Sequence, residues 1–252
     1  MPRTAPPQIF SRPRRIAAFE RALRRQAAED AARFVLDEMV EDVLDRLAFM
    51  RFEPASALVI GDLTGRLGEA LRGPGASVSE ADVRSLDEEA PLPGGPYDLV
   101  VSLASIAQVN DLPGALIHAR GGLTTGGIFL ASVISAGSLA NLRRAMIAAE
   151  PERTAARLHP LIDTQSASAL MQRAGFRRQV VDSHAIDVAY RSLGRLVGDL
   201  RDQGLGNVLR DSAPPLDRTA ARRAAAAFLQ DADHEGQVIE TFEILTLTGW
   251  KD

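Results

Sequence analysis

Three short, largely apolar runs constrain this chain more than anything else in it: SALVIGD at 56–62, YDLVVSLAS at 97–105 and GGIFLASVI at 126–134. Each is too short and too β-branched for a helix, and each reads as a buried strand. Segments with helical character follow them, from about Leu67 to Arg72, in LPGALIHARGGL and in SLANLRRAMIAAE. ASVSEADV, between the first two runs, reads as a weaker strand. Strands alternating with helices predict a mostly parallel sheet covered on both faces, a Rossmann-like α/β architecture. Two longer alternating runs near the end, RRQVVDSHAIDVAY and GQVIETFEILTLTGW, predict a strand pair forming an antiparallel edge.

Punctuation supports these assignments. Pro113 suits the first turn of one helix, Ser138 is expected to cap the next, and Asp163 or Thr164 to cap DTQSASALMQRAGF before Gly175 stops it. Helices are also expected in SLGRLVGDLRDQGL and DRTAARRAAAAFLQDA. Ahead of the first strand, Pro2, Pro6, Pro7 and Pro13 predict an extended arm. From Arg14 to Leu47 there is neither glycine nor proline, and Phe34, Val35, Met39, Val43, Leu44 and Leu47 recur at helical steps. One or two N-terminal helices are expected there. The boundaries drawn are residues 1–52 for the arm and helices and 53–252 for the α/β unit.

The first 25 residues carry Arg3, Arg12, Arg14, Arg15, Arg21, Arg24 and Arg25 against Glu20 alone. They read as a basic arm leading into a helix rather than as a serine-rich targeting peptide. Elsewhere, composition mainly excludes. With no cysteine there are no disulfides, thiolate metal sites or cysteine nucleophiles. Lys251, the sole lysine, leaves no internal Schiff-base residue and no phosphate-loop lysine. A net charge of -4 gives no reason to expect nucleic acid, and no apolar run approaches a bilayer span. His118, His159, His184 and His234 make no metal-ligand spacing, so no metal site is expected.

The first strand-turn-helix unit, ALVIGDLTGRLGEAL, holds the strongest site signal. In open α/β sheets, ligands lie at the carboxyl ends of the strands. Gly61 and Gly65 would let backbone amides approach a nucleotide cofactor, aided by the following helix N-terminus. An acid closing the second strand would hold ribose hydroxyls; Asp82 is the expected residue and Glu80 its alternative. Asp87, Glu88 and Glu89 form an acidic cluster before the next strand, readable as a solvated loop or as an adenine contact.

YDLVVSLASIAQVNDLPGAL, GGLTTGGIFLAS, LMQRAGF and TFEILTLTGW resemble the class I S-adenosylmethionine-dependent methyltransferases. More narrowly, the chain resembles the branch containing malonyl-carrier-protein methyltransferase and the complex I assembly-factor methyltransferase-like proteins. VVDSHAIDVAYRSLGRLVGDLRDQGLGNVL and the opening IFSRPRRIAAFERA resemble the latter in particular. The resemblance runs from about Ile9 to Trp250. It implies a seven-stranded sheet with its last strand antiparallel, and S-adenosylmethionine as cofactor. By position it assigns cofactor contacts to Gly61, Asp62, Gly65, Asp82, Asp87, Glu88 and Ser102, with Asp62 as a replacement carboxylate. It names no catalytic residue.

The departures bear on activity. Val59 stands where the family's first strand carries an acid, Leu63 where the central loop glycine stands, and Ala107 and Gln108 where the branch has His-Trp. The segment after the second strand is also short enough to have lost a helix and part of a strand. A leucine forced into a left-handed conformation costs ~1–2 kcal/mol, and a lost charge-assisted hydrogen bond about 1.5–3 kcal/mol. Three functions follow from the resemblance: a methyltransferase with a degenerate cofactor loop and unknown acceptor; a complex I assembly factor that modifies or chaperones a protein subunit, hydroxylation of an arginine included; or a non-catalytic binding protein. The implied location is a bacterial cytoplasm, with the mitochondrial matrix as the alternative.

Overall fold

The computed structural model describes residues 7–152 and 156–252; Pro2, Arg3 and Pro6 of the basic arm lie outside them. Two helices precede the sheet, α1 (Arg12–Arg25) and α2 (Phe34–Met50). Pro13 belongs to the first turn of α1 rather than to the arm, because proline's missing N–H costs nothing there. Then follow β1 (Ser56–Ile60), α3 (Arg66–Leu71), β2 (Ser77–Ala81), β3 (Tyr97–Leu103), α4 (Leu112–Gly121), β4 (Leu123–Ile134), α5 (Ala140–Ala149), α6 (Thr164–Arg173), β5 (Arg177–Tyr190), α7 (Leu193–Asp202), α8 (Arg218–Phe228) and β6 (Val238–Trp250).

The strands form one mixed sheet in the order β2-β1-β3-β4-β6-β5. β1 pairs parallel with β2 and β3, and β3 parallel with β4; β6 runs antiparallel to both β4 and β5. The sheet has six strands, not seven. Only residues 82–96 separate β2 from β3, too few for a further helix and strand, so β2 stands at the edge. Its exposed side chains agree with that place.

Period-two alternation sorts each strand between two apolar layers. Ala57, Val59, Leu99, Val101, Phe242 and Ile244 face the layer built from α2, α5, α7 and α8. Leu58, Ile60, Val100, Phe129, Leu245 and Leu247 face α4 and α6. α2 enters the first layer through Val35, Met39, Val43 and Leu47, the positions with helical spacing. Alanines let α5 and α8 approach closely, with Ala145, Ala149, Ala220 and Ala224 in that layer.

The helix caps expected from sequence follow local chemistry with one exception. Asp163 accepts from Ser166 N at 2.7 Å, and Gly175 ends α6 at φ 86°. Ser138 does not cap α5. Its hydroxyl is committed to the Glu243 backbone, donating to O at 3.1 Å and accepting from N at 2.8 Å. The Glu240 carboxylate of β6, fully buried, takes the cap role by accepting from Asn141 N at 3.1 Å and Leu142 N at 2.8 Å. The positive helix terminus favours such a carboxylate.

Candidate functional site

The β1–α3 loop has the backbone its glycines require. Gly61 sits at φ 81° and Gly65 at φ 72°. A Cβ on Gly61 would lie 2.5 Å from the Leu103 carbonyl oxygen, so the ends of β1 and β3 approach closely only because that residue is glycine. Leu63 does not adopt a left-handed conformation, so the backbone strain expected of it is absent. It is buried against Ala22 of α1 and Leu36 of α2, with Phe19 beside them.

Asp62 organises the loop from within. One carboxylate oxygen accepts from Thr64 N at 3.1 Å and Gly65 N at 2.9 Å; the other accepts from Leu67 N at 2.8 Å and Gly68 N at 3.1 Å. The Thr64 hydroxyl donates to it as well, at 2.9 Å. Four backbone donors of the α3 terminus, the groups that would greet an anionic ligand, are thereby satisfied internally.

The other carboxylates named from sequence are engaged too. Asp82 follows β2 directly, but its carboxylate is gripped by Arg84 at 2.6 Å and accepts from Arg84 N at 2.8 Å. Those Arg84 hydrogen bonds hold its carboxyl below the usual carboxylate range. Glu80 lies within β2, pressed against Gly68 and paired with Arg72, which places it beneath α3. Asp87 is exposed and meets Arg12 at 2.8 Å. Glu88, from the same acidic run, is buried and not a solvated loop residue. It accepts from Arg15 Nη2 at 2.7 Å, from the Ser105 hydroxyl at 2.8 Å and from the Ser102 hydroxyl at 3.3 Å.

Arg15 is the residue the sequence did not single out. It lies on the face of α1 that also carries Phe19 and Ala22, spaced by four and three residues, so helical periodicity could have marked it as inward-facing. Its Nη2 also donates to the Ser105 carbonyl at 3.3 Å. Through Arg15, Phe19 and Ala22, α1 lies across the carboxyl ends of β1 and β3.

Between α1, Gly61, Leu63 and Ser105 remains a cavity of roughly 50 Å³. Small-molecule sites typically need ≈ 300–1,000 Å³. In this arrangement the residues do not fit S-adenosylmethionine: the space is too small, and Asp62, Asp82, Asp87 and Glu88 each already have partners.

A much larger cavity, about 840 Å³, adjoins it past Ala104 and Gln108, between the ends of β3 and β4 and helices α1, α5 and α7. Apolar side chains such as Ile134, Leu142, Met146 and Leu200 line it, together with five arginines and His159. His159 accepts from Val208 N at 2.8 Å and packs edge-on to Phe10, its ring centroid 5.3 Å away. Burial lowers its pKa to about 4, so the imidazole is neutral. Among the described residues, no group of three or more histidines and carboxylates comes together to hold a metal, and no helix is long and apolar enough to cross a membrane.

No protein-family model matches the sequence. The chain is 29% identical to the arginine-hydroxylase NDUFAF5, mitochondrial, of Rattus norvegicus, over 98% of this chain and 81% of that protein. It is 25% identical to the malonyl-[acyl-carrier protein] O-methyltransferase of Gallionella capsiferriformans, over 90% of this chain and 88% of that protein. Among solved structures, the N-methyltransferase NodS from Bradyrhizobium japonicum, in complex with S-adenosylhomocysteine, aligns at 12% identity and a TM-score of 0.47, over 93% of this chain and 98% of that one. The mostly parallel sheet with its antiparallel last strand is the Rossmann-like architecture, and the chain is similar over nearly its whole length to NDUFAF5 and to malonyl-[acyl-carrier protein] O-methyltransferase.

Proposed function

We propose that this protein acts in the assembly of respiratory complex I as a methyltransferase-fold binding protein, engaging a protein subunit without transferring a methyl group. The observation that carries the non-catalytic part is the buried Arg15–Glu88 pair, with Ser102 and Ser105 completing its shell where the fold would seat a nucleoside. Similarity to NDUFAF5 over 98% of the chain supports the assembly role. The setting we propose is a bacterial cytoplasm, in keeping with the bacterial malonyl-[acyl-carrier protein] O-methyltransferase, with the mitochondrial matrix, in keeping with the mitochondrial NDUFAF5, as the alternative.

A second reading, an S-adenosylmethionine-dependent methyltransferase, draws on the retained left-handed conformations of Gly61 and Gly65 and the place of Asp82 just past β2. It requires α1 to move away and Arg15 to release Glu88. Thermal unfolding with S-adenosylmethionine and S-adenosylhomocysteine separates the two. A ligand at a hundred times its dissociation constant adds about 2.7 kcal/mol of stability. The expected result is no shift at millimolar ligand; a shift of several degrees overturns the non-catalytic reading. For the assembly role, deleting the gene is expected to lower NADH–quinone oxidoreductase activity, with recovery on re-expression. Unchanged activity overturns that part.

A further inference from the structure

The large cavity has an unbalanced charge that neither the cofactor position nor the fold explains. Its lining includes Arg14, Arg21, Arg143, Arg157 and Arg201 and no carboxylate. Arg157 is neutralised by Glu150 at 2.6 Å. Among the described residues, the other four form no ion pair with any carboxylate. Arg14 donates instead to the Ser212 hydroxyl. Residues 1–6 and 153–155 contain neither Asp nor Glu, so they bring no missing partner.

Four unpaired guanidinium groups around one cavity of a protein with net charge -4 are not an accident of a basic surface. Beneath them the walls are aliphatic: Ile134 from the end of β4, Leu139 at the start of α5, Leu142 and Met146 from α5, Val197 and Leu200 from α7. Such walls keep the local dielectric low and strengthen the attraction of the arginines for an anion. His159 is held neutral by burial and contributes a hydrogen-bonding edge rather than charge. At about 840 Å³ the cavity falls in the range of small-ligand sites and has room for a flexible alkyl chain.

We propose that this cavity binds a single-chain amphiphile with an anionic head group, its chain on the aliphatic walls and its carboxylate or phosphate among Arg14, Arg21, Arg143 and Arg201. The shared chemistry is a chain ending in an oxyanion, which arginine recognises through paired N–H donors. A cationic ligand, a guanidinium included, is repelled by the same four groups. This site is independent of whether the cofactor position ever opens.

Isothermal titration calorimetry of the full-length protein at low salt tests the assignment. The probes are laurate, dodecyl phosphate, dodecanol and dodecyltrimethylammonium, each below its micelle concentration. Laurate, dodecyl phosphate or both are expected to bind one to one, with the alcohol and the cation at least roughly tenfold weaker. The preferred anion identifies the head group. Arg143 and Arg201 are exposed and carry no ion pair, so the double variant R143E/R201E should keep its melting temperature while losing at least about tenfold in affinity for the anion. Arg173→Glu, on α6 and outside the cavity, should bind as the parent does. Equal binding of all four probes, no binding of either anion, or anion affinity untouched by R143E/R201E each overturns the proposal.

Discussion

The Arg15 guanidinium and the Glu88 carboxylate meet at 2.7 Å across 73 residues of sequence, and neither side chain is more than 7% exposed. The pair joins the first helix to the loop preceding β3, and the Ser102 and Ser105 hydroxyls complete the carboxylate's hydrogen bonding. A buried pair of this kind adds little net stability over apolar residues of similar size, because desolvating two charges offsets their attraction. Removing one partner is another matter, since it strands the other charge.

Arg15→Ala or Glu88→Ala is therefore expected to destabilise the protein by about 3–5 kcal/mol. The double variant R15M/E88M should cost far less than the sum of the two single changes. Urea unfolding of all three gives the coupling energy; additive effects would show that the pair is not energetically linked.

Leu63 fills the position of a loop glycine with a buried side chain against Ala22 and Leu36. Leu63→Ala should cost about 2–5 kcal/mol through lost burial and the cavity left behind. The same change enlarges the space beside Gly61, so a gain in S-adenosylmethionine binding measured by calorimetry would identify Leu63 as a plug. A stability loss without binding would leave it a core residue only.

Asp62 serves the α3 terminus rather than a ligand. Asp62→Ala should lower stability by about 1–2 kcal/mol, as lost helix caps do, and the effect should be the same with and without added nucleoside ligands. Chemical denaturation measures it. An unchanged midpoint would mean that the four amide contacts contribute nothing net.

His159 predicts an acid-sensitive stability. Its folded-state pKa, about 4, lies below the ordinary value of 6.5, because burial disfavours the charged imidazole. Below pH 6.5 the unfolded chain takes up this proton and the folded chain does not, so stability falls as the pH drops from about 6.5 toward 4. The imidazole is partly exposed, and a loss of about 2 kcal/mol across that window is expected. His159→Gln keeps an acceptor for Val208 N and should flatten this part of the pH dependence. Parallel melting curves at pH 7.5 and 5 test it; identical pH dependence in the two proteins would refute the assignment.

Strand and helix order were legible because they rest on local periodicity. Val59 and Val101 had to be inward-facing strand residues, and Gly61 had to mark a turn, whatever lay around them. The last two strands were readable as an antiparallel pair at one edge of the sheet for the same reason. The count of strands was legible only in the shortness of residues 82–96, which the family resemblance outweighed.

The use of the cofactor position was not legible in the same way. Asp62, Asp82 and Glu88 stand where a ligand could be held, and sequence position says nothing about which donors reach them first. That depends on α1, whose Arg15, Phe19 and Ala22 come from residues far away in the chain. The cap of α5 was misassigned to Ser138 for a like reason, since its true partner, Glu240, lies about 100 residues on. The sequence alone determined the alternation of strands and helices and the turn at Gly61, because these are set by the side-chain period and by backbone sterics within a few residues. Tertiary structure decided that Glu88 meets Arg15, that Leu63 packs into a helix pair, and that four arginines with no carboxylate partner among the described residues surround one cavity with aliphatic walls, because charge pairing and burial depend on which distant segments the fold brings together.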